Sequence, residues 1–190
     1  SHWSAEYVGC LDNLGPAGGI AVGMRKVLDR AASDDWLLLL DDDDPPTDST
    51  AIDGLLAFGL EALSEDPNTA GVGLVGAQYD RQLGRVRRVP DEDLFGRVRV
   101  AHIGGGHLPL YRIAAVQEVG FFDSRLFFGF EELEYGLRLR KAGYSLYVDG
   151  DRWRKSRIDG GRWKRSKQST QKPPAQAPWR GYYSVRNSTL

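Results

Sequence analysis

Cysteine is almost absent. Cys10 is the only one in 190 residues, which excludes an internal disulfide framework and any zinc site built on cysteine thiolates. Long apolar runs are missing too. The stretch that stands out, Trp36 to Leu40, falls far short of the roughly 20 residues that a membrane-spanning helix needs. The opening residues Ser1 to Glu6 carry no basic stretch followed by an apolar one, so no signal peptide is expected there. No internal repeat is visible. Apolar residues make up 41% of the chain and charged residues 27%, enough to bury a core the size of one ordinary domain, or one domain and a tail.

Net charge is nearly absent, at −1, but the balance hides an asymmetry. Residues 1–150 hold 14 Lys and Arg against 24 Asp and Glu, whereas residues 151–190 hold 11 Lys and Arg against 2 Asp. The acidic body argues against nucleic acid as a partner. The basic tail points to something anionic: a phosphate, a membrane surface, or the body itself. The division predicts a core over 1–150 and a basic, partly mobile segment over 151–190.

Residues 5–9 read as a short strand. Asn13-Leu14-Gly15-Pro16-Ala17-Gly18-Gly19 is a glycine-rich turn opening a helix to about Ala32, with Ile20, Met24, Val27, Leu28 and Ala31 at helical spacing. Trp36 to Leu40 has the pattern of a strand buried on both faces. Asp48 or Ser49 is placed to cap a helix carrying Ile52, Leu55, Leu56, Leu60 and Leu63. Val72–Ala77 is a second buried strand, and residues 78–89 form a hairpin around Leu83-Gly84. Val98–Ile103 and Leu108–Tyr111 are strand-like. Ile113–Val119 is a short helix stopped by Gly120, Glu131–Ala142 a helix with Gly143 past its end, and Tyr144–Val148 a strand. Asp151–Pro178 shows no periodicity and reads as a loop. Trp179–Leu190 regains aromatic content and is expected to pack back on the body. Strands alternating with helices predict an α/β fold with a partly parallel sheet, whose ligands bind at the carboxyl ends of strands.

Asp41-Asp42-Asp43-Asp44 follows the most apolar strand. Adjacent carboxylates repel one another, and a divalent cation relieves the repulsion. In extended chain Asp41 and Asp43 point the same way and can share one ion. Asp44 and Asp48 read instead as a solvated loop and helix cap. Glu131 and Glu132 open a helix, where carboxylates favour the dipole. Beside Phe127, Phe128 and Phe130, a carboxylate with a raised pKa is a candidate general base. The Asn13–Gly19 turn and Gly104-Gly105-Gly106-His107 each read as permissive turns or as close backbone approaches to a ligand. His107 reads as a polar wall residue and His102 as structural. Arg180 and Arg186, flanking Tyr182 and Tyr183, belong to a helix docked by its aromatics or make cationic contacts with a diphosphate or acceptor.

These stretches, in this order, resemble the inverting glycosyltransferases of family 2, which have the GT-A fold. The resemblance rests on Asn13–Gly19, Leu39-Leu40-Asp41-Asp42-Asp43 with Pro46 behind, the Gly104–His107 loop, and Gly120-Phe121-Phe122-Asp123. It continues through Phe128-Gly129-Phe130-Glu131-Glu132-Leu133-Glu134-Tyr135-Gly136-Leu137-Arg138 and, more loosely, Tyr182-Tyr183-Ser184-Val185-Arg186-Asn187. Within the family the look is nearest to bacterial galactofuranosyl- and rhamnosyltransferases of cell-envelope polysaccharide synthesis.

The resemblance implies a GT-A-like mixed sheet flanked by helices, and transfer of a sugar from a nucleotide donor, UDP- or dTDP-linked, to a glycan or lipid-linked acceptor hydroxyl. It implies donor contacts from Asn13, Gly18, Gly19, Asp41, Asp42, Asp43 and His107, with Asp41 and Asp43 holding Mn²⁺ or Mg²⁺. Acceptor contacts fall to Gly105, Gly106 and Glu131. Glu132 stands where the family usually has an Asp as general base. The resemblance also implies a strand–helix–strand unit ahead of these motifs that this sequence does not contain, and a metal-binding His where the chain reads Trp153-Arg154-Lys155-Ser156, with Lys155 supplying part of the charge. A cytoplasmic placement is expected, with peripheral contact to an anionic membrane. The segment Arg152–Lys172 is expected to order over the donor site or at that surface. A non-catalytic nucleotide-sugar- or glycan-binding module is the alternative, and a hydrolase with Asp41 as nucleophile a further one.

Overall fold

A computed structural model describes residues 5–42, 45–46, 48–105, 108–160 and 178–187. In chain order the elements are α1 (Gly15–Leu28), β1 (Trp36–Leu38), α2 (Ala51–Glu65), β2 (Thr69–Gly73), β3 (Gly76–Asp80) and β4 (Arg85–Arg87). They continue as β5 (Arg97–Val100), β6 (His102–Ile103), β7 (Leu110–Arg112), α3 (Ile113–Val119), α4 (Glu131–Lys141), β8 (Ser145–Asp149), α5 (Gly150–Asp159) and α6 (Pro178–Asn187).

Five strands form a mixed sheet in the order β1-β7-β2-β8-β5, in which only β2 and β8 run parallel. A smaller antiparallel sheet, β4-β3-β6, carries the expected hairpin. The period-2 alternation of strand side chains sorts the core into two layers. Leu37, Tyr111, Leu146 and Val148 face α1, α3 and α4, where they meet Met24, Val116, Tyr135 and Leu139. Trp36, Leu38, Leu110, Val72 and Tyr147 face α2 and meet Ala51, Leu55 and Ala62. The result is an α/β/α arrangement, consistent with the expected α/β class. Tyr111, Tyr135 and Phe122 form an aromatic knot with ring centroids 4.6–6.4 Å apart, each pair worth roughly 0.5–1.5 kcal/mol beyond the area it buries.

Several local expectations hold for evident reasons. The Asn13 side-chain oxygen accepts the Gly15 N–H at 3.0 Å, and the turn opens α1 with Pro16 in its first turn. Gly120 and Gly143, at φ 86° and 96°, end α3 and follow α4 in a conformation that costs glycine little. The expected cap of α2 by Asp48 or Ser49 does not form: the N-cap is Thr50, and Asp48 instead accepts the Thr50 N–H and hydroxyl at 2.8 and 2.7 Å in the turn ahead of the helix.

Four other expectations change. Residues 5–9 form no strand; Glu6 instead pairs with Lys26 on α1 and with Arg30 just past its end. The strand expected over Val72–Ala77 is two strands of different sheets, β2 and β3, with Leu74 and Val75 between them. The first apolar strand is shorter than expected, ending at Leu38. It is bonded on one side only, and Leu40 is exposed. The expected loop from Asp151 is, over its first nine residues, part of α5, so the boundary at 150 falls inside a helix. Asp149 caps that helix by accepting the Arg152 N–H at 3.0 Å, and Trp153 and Arg157, one turn apart, are buried. A single apolar residue and the stem of an arginine dock the helix, too few for an apolar stripe. The rest of the basic segment, 161–177, lies outside the described residues. No helix among the described residues is long and apolar enough to cross a membrane.

Candidate functional site

A cavity of about 280 Å³ opens where β1 runs out. Leu39 and Asp41 line one side, Gly105 and Pro109 another, and Pro16 and Ile20 on α1 a third. Phe122, Phe128, Glu131 and Glu132 complete it. Topology accounts for the gathering. Leu39 donates its N–H to Pro109 O at 2.9 Å, extending the β1–β7 pairing and delivering Asp41 beside the loop that follows β6. The first turn of α4 then brings Glu131 and Glu132 against that loop.

Glu132 reaches Gly105 closely enough that a Cβ there would collide with its Oε1. Burial is the main influence lifting the Glu132 pKa above the usual carboxylate range. The N–H groups of Glu132 and Gly105 oppose the shift, and Asp41 adds to it. Glu131 is 5% exposed, and its Oε2 has no hydrogen-bond partner among the described residues. Burial, then the neighbouring Glu132, pushes its pKa up to about 7, against the N–H groups of Glu131 and Gly129. No Lys or Arg among the described residues forms an ion pair with Asp41, Glu131 or Glu132. The cavity therefore gathers three carboxyl groups with no ion-pair partner among the described residues, and burial lifts the pKa of two of them, Glu131 and Glu132. Such a site can take a proton from a bound hydroxyl, and it attracts cations.

The loop leading into α4 is unusual. Phe127, Gly129 and Phe130 all have positive φ, at 60°, 81° and 70°. For the two phenylalanines this costs of order 1–3 kcal/mol each, so surrounding contacts must enforce it. On one side stands α1, where Ala17 donates its N–H to Phe127 O at 3.3 Å. Gly15, itself at φ 64°, lies so close that any side chain there would strike Phe127. On the other side stands α6, with Tyr183 stacked on Phe127 at 4.7 Å between centroids and Trp179 edge-on to Phe128 at 4.9 Å. Arg186 and Asn187 bond to the carbonyls of the loop.

Of the residues singled out by sequence, Asp41, Gly105, Glu131 and Glu132 share the cavity. Asn13, Gly18, Gly19 and Asp42 do not line it: Asn13 is used in the turn, Gly18 packs under Leu14, and Gly19 and Asp42 are exposed. Asp43, Gly106 and His107 lie outside the described residues. His102 is largely buried, its pKa lowered by burial, in keeping with a structural part. Lys155 is exposed on α5 and does not line the cavity. Arg186 is committed to backbone carbonyls and Arg180 lies over the Phe128 and Trp179 rings, so the aromatic docking of this helix is what is observed.

The sequence reading did not place Phe122, Pro109 and Ile20 in the site. Their apolar character marks them only as core, and the topology alone brings them here. Asn187 was also missed as a structural anchor, although a buried Asn after two tyrosines is a signal that something nearby needs donors.

Among the described residues no group of three His, Cys, Asp or Glu side chains is gathered to hold a metal ion. Asp41 borders the cavity, pairs with no Lys or Arg among the described residues, and adds to the charge that Glu132 feels. No family model matches the chain, and no curated protein matches it in sequence.

Proposed function

We propose that the chain is the catalytic core of an inverting glycosyltransferase of the GT-A type, moving a sugar from a nucleoside-diphosphate donor to a hydroxyl of a glycan or lipid-linked acceptor. The observation that carries this reading is the convergence of Asp41, Glu131 and Glu132 on one cavity at the end of β1, from sequence positions about 90 residues apart. Their order along the chain is that of the family resemblance.

In this reading Glu132 is the general base. Its raised pKa suits proton abstraction near neutral pH better than an ordinary carboxylate would. The Gly105 N–H steadies it and leaves space, because residue 105 has no side chain. Glu131, retaining its proton to about pH 7, donates a hydrogen bond to an acceptor or donor hydroxyl and keeps the cavity from carrying three full charges. Pro16, Ile20, Phe122 and Phe128 form an apolar wall that limits water beside the reacting centre. Mn²⁺ or Mg²⁺ held by Asp41, with Asp43 from the same acidic run, would supply positive charge to the diphosphate leaving group.

Calorimetry with a nucleoside diphosphate tests the donor part. Binding should require Mn²⁺ or Mg²⁺ and weaken at least tenfold in Asp41→Asn. Metal-independent binding unaffected by that substitution would remove Asp41 from the donor site.

A further inference from the structure

The strained loop that presents Glu131 and Glu132 is gripped by the last two described residues of the chain. Asn187 is 7% exposed and aims its amide nitrogen at three backbone carbonyls: Leu126 O at 2.9 Å, Phe128 O at 3.0 Å and Gly129 O at 2.8 Å. Two amide hydrogens shared among three acceptors fix the loop from one point. Arg186 fixes Asn187 in turn, donating Nε–H to its Oδ1 at 2.8 Å, while its other end donates to Arg125 O at 2.7 Å and Leu126 O at 2.6 Å. These five bonds, besides the one within the pair, reach over about 60 residues of sequence to carbonyls of the turn before α4, one of which, Leu126 O, also accepts the Phe128 N–H at 2.7 Å. They fall on the segment containing Phe127, Gly129 and Phe130 at positive φ, one residue before Glu131.

We infer that Arg186 and Asn187 are positioning residues: by holding the carbonyls of 125–129 they fix the left-handed turn before α4 and so the direction in which Glu131 and Glu132 enter the cavity. This rests on the functional reading above. A helix that only covered the body would need its aromatic contacts, and Trp179 and Tyr183 already supply those. The added polar grip falls where a small rotation would swing both carboxyl groups. A misplacement of about 1 Å at a reacting group costs up to ~10²-fold in rate. Neither residue touches the cavity, so the effect is on orientation rather than on binding.

The test compares the full chain with Asn187→Ala, Asn187→Asp, which keeps the shape and removes the donor, and Arg186→Lys, which keeps the charge and loses the fork. Two readouts are taken: steady-state transfer from a nucleotide-sugar donor, and hydrogen exchange of the backbone amides of 127–132. The expected result is a kcat lowered by about 10- to 100-fold in both Asn187 variants, with the donor KM within about twofold, and a smaller loss in Arg186→Lys. Exchange of the 127–132 amides should quicken at least tenfold, while amides of β2 and β8 keep their protection. An unchanged kcat, or a rise in KM and general loss of protection in parallel with the fall in kcat, overturns the positioning role. Should Asn187→Ala fail to fold, Arg186→Lys decides by the same criteria. If the unaltered chain transfers no sugar, the functional reading fails, and exchange alone decides the grip: faster amides at 127–132 only support it, and unchanged ones overturn it.

Discussion

Replacing Glu131 by Gln should change the pH dependence of stability in a calculable way. In the folded chain this carboxyl has a pKa of about 7, against an ordinary value of 4.5. Between those values the folded state keeps a proton that the unfolded state has released, so stability falls as pH rises from 4.5 to 7 and levels off above. The full span corresponds to roughly 3 kcal/mol, and most of it falls between pH 5 and pH 8, although an exposed carboxyl is already mostly ionised at pH 5. The group is 5% exposed, so solvent screening takes little from this figure. The amide introduced by Glu131→Gln has no such titration. Urea unfolding of both chains at pH 5 and pH 8, at fixed ionic strength, gives the comparison. The stability of Glu131→Gln relative to the unaltered chain should improve by roughly 2–3 kcal/mol between the two pH values, whatever constant cost the buried amide adds. Parallel pH dependence of the two chains would show that Glu131 titrates alike folded and unfolded, and that its burial does not hold the proton.

Two further outcomes follow from the same geometry. Gly105→Ala should barely move the melting temperature yet lower turnover at least tenfold, because the added methyl meets chiefly the end of the Glu132 side chain; equal turnover would separate Gly105 from Glu132. Asp91→Ala should destabilise the chain by roughly 3–5 kcal/mol in denaturant unfolding, since Arg157, 7% exposed and paired with Asp91, would be left as a buried cation with Val89 O as its remaining hydrogen-bond acceptor among the described residues; a loss near zero would show that water already serves that guanidinium.

The parts legible in the sequence are those set by local chemistry. Helices α1, α3 and α4 follow from apolar spacing and from glycines that must stand at their ends, and the β3–β4 hairpin from its turn. Asp41 stands out because adjacent carboxylates repel one another, whereas Glu131 and Glu132 have an ordinary reason to open a helix and are singled out by their aromatic neighbours and by the family resemblance. Non-local facts were hidden. Nothing in Val72–Ala77 announces that the chain leaves one sheet for another at Leu74 and Val75. Helix α5 has no apolar stripe, because Trp153 docks it together with the buried Arg157 that pairs with Asp91. The positive φ of Phe127 and Phe130 is imposed from outside, by α1 and α6, and so leaves no trace in the local sequence.

In the function proposed above, Glu132 removes the proton from an acceptor hydroxyl as the sugar is transferred with inversion. NMR of the transfer product, made by the unaltered chain and by Glu132→Gln with a nucleotide sugar, Mn²⁺ and a glycan acceptor, tests it most directly. The unaltered chain should give a product whose anomeric configuration is opposite to that of the donor. Glu132→Gln should make it ~10²–10⁴-fold more slowly while binding the donor as before. A product with the donor's own configuration would exclude inversion, and near-normal turnover in Glu132→Gln would exclude Glu132 as the base.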